Sequence, residues 1–167
     1  MDIYHLVDAI PDKHEQAQYM SESRNMSLLL VEDEPGDARL MQLVMQKNGY
    51  AAKLYDASDG HEALRFLQRR GEQFADAPRP DLILLDLKMP GQGGLECLET
   101  IKKDENLRAI PVVVITTSAL EADVINAYRL GAAGYILKPV DINEFVAAIH
   151  NLGQYWFKLV RLPENRE

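Results

Sequence analysis

A single cysteine, Cys97, stands among the 167 residues. No intrachain disulfide can form, and a reducing cytoplasm is the default compartment. Cys97 falls at helical spacing with Leu95, Leu98 and Ile101, which marks it as a small buried hydrophobe rather than a reactive thiol. No run of about 18 apolar residues occurs, so no membrane-spanning helix is expected. Positive charge is scarce: 18 Lys and Arg against 26 Asp and Glu leave −8, the wrong sign for a nucleic-acid footprint. The N-terminus has neither the basic start nor the long apolar core of a signal peptide. The four histidines, His5, His14, His61 and His150, show no metal spacing. No Gly-x-Gly-x-x-Gly or P-loop follows the first apolar run, and Glu32-Asp33-Glu34 there would repel a phosphate, which excludes a nucleotide or flavin binder of that kind.

What is present is apolar punctuation at regular intervals. Leu28 to Val31, Leu82 to Leu85 and Val112 to Ile115 are short apolar runs, too short for buried helices and suited to buried strands. Two weaker strands are expected at Ala51 to Tyr55 and Gly134 to Leu137. Between them the period changes to that of helices: Pro35 opens one that Asn48-Gly49 ends, and Ser58 or Asp59 caps the next, which Arg69-Arg70-Gly71 closes. Leu95 to Lys103 and Ala119 to Leu130 follow, and Asp141 caps the last, through Phe145, Ile149 and Leu152. Glu72 to Arg79 is a longer polar loop. Five strands alternating with five helices predict an α/β doubly wound, flavodoxin-like parallel sheet in the order 2-1-3-4-5. The expected organisation is an N-terminal extension over 1–25, a domain over 26–153 and an apolar tail over 154–167. In the extension, Ile3, Leu6, Val7 and Ile10 share one helical face, Pro11 stops that pattern, and a polar linker follows.

Polar residues fall repeatedly at strand ends. The first strand runs into Glu32 and Asp33, the third into Asp86, the fourth into Thr116 and the fifth into Lys138. In a parallel sheet these ends share one edge, where ligands bind. Three carboxylates gathered there repel one another unless a cation compensates, and Mg²⁺, which needs few protein ligands, suits them. Lys138 and Thr116 beside it make an anion site, so Asp86 can act as nucleophile toward a phosphoryl group. A phosphatase of the Asp-x-Asp type is disfavoured, because Asp86-Leu87-Lys88 lacks the second Asp.

The motifs Leu30-Val31-Glu32-Asp33, Leu84-Leu85-Asp86-Leu87-Lys88-Met89-Pro90-Gly91, Val114-Ile115-Thr116-Thr117 and Gly134-Tyr135-Ile136-Leu137-Lys138-Pro139 resemble the receiver domain of two-component response regulators, over roughly residues 26–153. The resemblance implies that Asp86 accepts a phosphoryl group from a sensor histidine kinase. It implies that Glu32, Asp33, Asp86 and the backbone carbonyl of Lys88 hold Mg²⁺, and that Lys138 and Thr116 contact the acyl phosphate. It further implies a switch role for Thr116 and Tyr135 and a cis Lys138–Pro139 bond. Such a protein is a signalling switch rather than an enzyme, although it assists its own phosphorylation and dephosphorylation. A receiver-like scaffold that takes no phosphate is the alternative.

The loop Arg69 to Arg79, the run Arg108 to Val114 and the tail Tyr155 to Pro163 also resemble the small single-domain regulators paired with bacterial phytochromes. This implies a phytochrome kinase as phosphodonor and a homodimer through the C-terminal helix and tail, where aromatic residues suit an interface. With about a dozen residues after the domain, no output domain fits, so output is expected through protein–protein contact, with neither nucleic acid nor membrane as partner.

Overall fold

The computed structural model of the chain describes residues 26–48, 50, 52–89, 91 and 93–163. The helical spacing read at Ile3 to Ile10 lies outside them.

Strand β1 (Met26–Val31) leads to α1 (Pro35–Lys47), β2 (Ala52–Ala57), α2 (Gly60–Leu67) and a 3₁₀ turn (Glu72–Phe74). Then come β3 (Leu82–Leu85), α3 (Gly94–Lys103), β4 (Val112–Thr116), α4 (Glu121–Arg129), β5 (Gly134–Leu137) and α5 (Ile142–Gly153). A π-helical turn, Gln154–Leu159, continues α5 without a break. All strand pairs are parallel, in the expected order β2-β1-β3-β4-β5.

Successive side chains of a strand point to opposite faces, so each central strand feeds two cores. Leu29, Val31, Ile83, Leu85, Val112 and Val114 face α2, α3 and α4, meeting Phe66, Cys97, Leu98, Ile101 and Ala127. Leu28, Leu30, Leu82, Leu84, Val113 and Ile115 face α1 and α5, meeting Met41, Met45, Phe145 and Ile149. Burial on both faces explains why these strands read as unbroken apolar runs.

The caps follow the sequence closely. The Asp59 side chain accepts the Glu62 N–H at 2.8 Å, while the Glu62 carboxylate reaches back to the Ser58 N–H at 2.7 Å. Asp141 accepts from the N–H groups of Asn143 and Glu144. Elements differ from expectation in three places. Strand β2 runs to Ala57, because Asp56 and Ala57 stay in register with Leu30 and Val31 although the pair is not an apolar run. Helix α4 starts at Glu121, two residues after the expected Ala119. The polar loop before β3 holds a buried anchor, Phe74, packed edge-on against Phe66 with 5.8 Å between ring centroids.

The tail divides its apolar residues. Trp156 and Phe157 pack against the core beneath α1 and α5, and Leu162 is buried, whereas Tyr155 and Leu159 are exposed. Tyr50 organises this end. Its hydroxyl donates to the His150 carbonyl at 3.0 Å, and its ring stacks on Phe157 with 5.8 Å between centroids. Gly153 is glycine because a Cβ there would collide with the Tyr50 ring.

Candidate functional site

The C-terminal edge of the sheet gathers the residues that the sequence scatters. Val31 ends β1, and the Glu32 N–H still pairs with the Ala57 carbonyl at 3.0 Å, which holds the acidic turn against the sheet. The Asp86 N–H pairs with the Val31 carbonyl at 3.0 Å, so β3 delivers Asp86 beside that turn. Gly94 lets α3 begin against the same spot: a Cβ there would overlap the Asp86 carbonyl and the Leu87 Cα. Glu32, Asp33 and Asp86 thereby present carboxylate oxygens within 4.8 Å of one another. Glu32 and Asp86 are buried and Asp33 is exposed.

Lys138 lies in the middle of this charge. Its ammonium donates to Glu32 Oε2 at 2.5 Å, Asp86 Oδ2 at 3.0 Å and Asp37 Oδ2 at 3.0 Å. Burial works against the ammonium, but the bonds to Glu32, Asp37 and Asp86 outweigh it and hold Lys138 above the ordinary lysine pKa. Burial pushes the Glu32 carboxyl up to about 7, and the Asp86 charge adds to the rise against the bond from Lys138. The remaining oxygens are also held: the Glu34 N–H donates to Glu32 Oε1 at 3.1 Å and the Lys88 N–H to Asp86 Oδ1 at 3.0 Å. Lys88 therefore enters the site through its amide.

Thr116 is fully buried at the end of β4, and its hydroxyl accepts the Ser118 N–H at 3.4 Å. The Lys138 N–H donates to the Thr116 carbonyl at 2.7 Å, so the two residues leave the sheet side by side. Tyr135, on β5, points its hydroxyl at the Ser118 carbonyl, 2.8 Å away. Burial raises the phenol pKa, with the bond to Ser118 opposing. No cis peptide occurs among the described residues, so the expected cis Lys138–Pro139 bond is trans; the trans form is the intrinsically favoured isomer of an X–Pro bond.

Two contributors escaped sequence reasoning. Asp37, in the first turn of α1, supplies a third carboxylate to Lys138. An acidic residue there reads as an ordinary dipole partner, so nothing local signals the contact. Ser118 donates its hydroxyl to Asp123 of α4, which ties the loop after β4 to that helix.

The donor set suits a hard divalent cation: Glu32, Asp33 and Asp86 offer oxygens only, and three carboxylates, Glu32, Asp37 and Asp86, share one ammonium. The excess of negative charge in a buried place is what a bound cation relieves.

The model of the response regulator receiver domain matches residues 28–150. The chain belongs to the response regulator receiver family. It is 40% identical over 136 residues to the response regulator Rcp1 of Synechocystis sp., covering 81% of this chain and 92% of that protein. The Mn²⁺-bound form of Rcp1 superposes with a TM-score of 0.80 at 39% identity, over 83% of this chain and 99% of that one. The phosphorylated cyanobacterial phytochrome response regulator RcpA gives 0.81 at 36% identity, over 84% and 100%. The receiver domain of the sensor histidine kinase PA1611 from Pseudomonas aeruginosa PAO1, with a magnesium ion in its active-site cleft, gives 0.63 at 27% identity, over 80% and 98%. The chain is thus a receiver-domain signalling protein close to the Rcp1 and RcpA regulators, and no helix among its described residues is long and apolar enough to cross a membrane.

Proposed function

We propose that this receiver accepts a phosphoryl group on Asp86 from a sensor histidine kinase of the phytochrome class and signals by protein–protein contact. The observation that carries the reading is the convergence of Asp86 and Glu32 within 3.0 Å of the Lys138 ammonium, three residues brought together from the ends of three strands. The resemblance to a phosphorylated phytochrome regulator supplies the reaction class.

An Asp86 oxygen attacks the phosphorus of the donor phosphohistidine; an O–P bond forms, the P–N bond breaks, and the donor imidazole keeps the electron pair. Glu32, Asp33, Asp86 and the Lys88 carbonyl would hold Mg²⁺, which supplies charge neutralisation for the phosphoryl oxygens. Lys138 loses part of its engagement with Asp86 and turns its ammonium to a phosphoryl oxygen. Thr116 donates its hydroxyl to another, which draws the loop holding Ser118 inward. Tyr135 and Asp123, both bound to Ser118, transmit that shift to the α4–β5 surface. The exposed Tyr155 and Leu159, beside α5, are offered as part of a homodimer interface.

The test is intact-protein mass after incubation with acetyl phosphate, with and without Mg²⁺, on wild type and Asp86→Asn. One Mg²⁺-dependent phosphoryl adduct that the variant lacks is expected. Labelling that persists in Asp86→Asn rejects the acceptor assignment. Failure of wild type to bind beryllium fluoride as well as phosphate would favour the scaffold alternative.

A further inference from the structure

Three carboxylates share the Lys138 ammonium, and they are not equivalent. A lysine ammonium has three N–H donors, and Glu32 Oε2 at 2.5 Å, Asp37 Oδ2 at 3.0 Å and Asp86 Oδ2 at 3.0 Å occupy them. The side chains of Glu32 and Asp86 are 1% and 6% exposed, whereas that of Asp37 is 34% exposed. Asp37 differs in a second way. Among the described residues, the carboxylates close enough together to hold one metal ion are Glu32, Asp33 and Asp86. Asp37 is outside that set, so a cation that neutralises the others leaves Asp37 to Lys138.

Phosphorylation of Asp86 adds a fourth acceptor. A phosphoryl oxygen must draw on the same three donors, so a bond already made has to yield. Glu32 and Asp86 are buried, and a buried carboxylate stripped of its counter-charge is costly. Their bonds to Lys138 can loosen but not be abandoned. Asp37 is different, because water reaches its carboxylate and can take the place of the ammonium.

We propose that Asp37 is a positioning residue of the switch, a reading that rests on Asp86 as the phosphoryl acceptor. In the unphosphorylated chain Asp37 holds the Lys138 ammonium toward α1, and it releases the ammonium when the phosphoryl group arrives. Asp37 and the phosphoryl oxygens therefore compete for one cation. Part of the attraction between Lys138 and the phosphoryl group goes into breaking the Asp37 bond, and that bond biases the balance between resting and switched states. An acid in the first turn of α1 also suits the helix dipole. The dipole alone requires no contact with Lys138.

The experiment titrates beryllium fluoride, a phosphoryl mimic, into the full chain at saturating Mg²⁺, read from the amide signals of Thr116 and Ser118. Asp37→Asn should bind the mimic about three- to fivefold more tightly than wild type, the range set by a half-exposed ion pair. Asp37→Glu, which keeps the charge, should return the affinity toward wild type. In a Lys138→Ala background, Asp37→Asn should bring no gain, because the competitor then has nothing to withhold. Glu34→Gln controls for repulsion through space: Glu34 stands in the same acidic turn, but its side chain accepts from the Gly36 N–H. That variant should change the affinity far less than Asp37→Asn. An unchanged or weakened affinity in Asp37→Asn would overturn the proposal. So would an equal gain in Glu34→Gln, or the same gain without Lys138. Failure of wild type to bind the mimic would instead overturn the acceptor assignment at Asp86, and this proposal with it. Strand amides that keep their positions in each variant show that the domain has not unfolded.

Discussion

Lys138 and Asp86, 52 residues apart in sequence, meet at 3.0 Å in a pocket where both side chains are almost wholly buried. The same ammonium also serves Glu32, so two buried carboxylates depend on one cation.

Removing that cation alone leaves buried charge uncompensated. Lys138→Ala is expected to lower stability in chelator by about 3 kcal/mol or more, a fall in Tm of roughly 10 °C for a domain of this size. Mg²⁺ should restore more of the loss in the variant than it adds to wild type, because a divalent ion neutralises the same oxygens. Thermal melts by circular dichroism, with chelator and with Mg²⁺, check both. Equal melting of variant and wild type in chelator would mean that Lys138 does not neutralise the pocket.

Glu32 makes the metal-free protein sensitive to pH. Its carboxyl is held at about 7 in the folded chain against an ordinary 4.5. Between those values the folded state binds a proton that the unfolded state has released. Stability from this group is complete below about 4.5 and is lost as pH rises through about 7. Denaturation midpoints in chelator should fall from pH 5 to pH 8, and Glu32→Gln should flatten the slope. A steeper slope in that variant would assign the proton elsewhere.

The strands β1, β3 and β4 were legible because burial on both faces leaves an unbroken apolar run, and Asp59 and Asp141 were legible as caps because their chemistry is local. Glu32, Asp33, Asp86, Thr116 and Lys138 were legible together because a parallel sheet carries every strand end to one edge. Asp37 was not, since its role depends on the length of the Lys138 side chain reaching across from β5. The β2 limit was missed because Asp56 and Ala57 owe their place to the ladder with β1 rather than to hydrophobicity. The tail showed as apolar, but only folding separates Trp156 and Phe157, which pack half-buried against the domain, from Tyr155 and Leu159, which it leaves in water.

That division makes the proposed dimer testable without truncation. Leu159 is 75% exposed and Tyr155 50% exposed, so charges there cost the monomer little. The double variant Tyr155→Glu, Leu159→Glu should sediment as a monomer at concentrations where wild type is a dimer, with Tm changed by no more than a few degrees. Dimers that persist in the variant would place the interface elsewhere.

Cys97 offers a test of the core that leaves the charged site alone. The side chain is fully buried, and its thiol faces the Gly60 carbonyl at 3.8 Å. Burial, with the Asp59 charge adding, pushes the thiol up to about 12 from an ordinary 9. The thiolate is the reactive form, so a disulfide reagent at pH 8 should leave the native protein unmodified for as long as the helix α3 side of the core stays closed. The same reagent should react rapidly in denaturant. Because the folded state holds the proton to higher pH, stability from this group is intact below about 9 and declines as pH climbs toward 12. Cys97→Ala should remove that alkaline decline at a modest cost in packing, about 1 kcal/mol for one lost sulfur. Fast labelling of the native protein at pH 8, at a rate independent of added Mg²⁺ and of denaturant, would show that Cys97 is reached without opening the core.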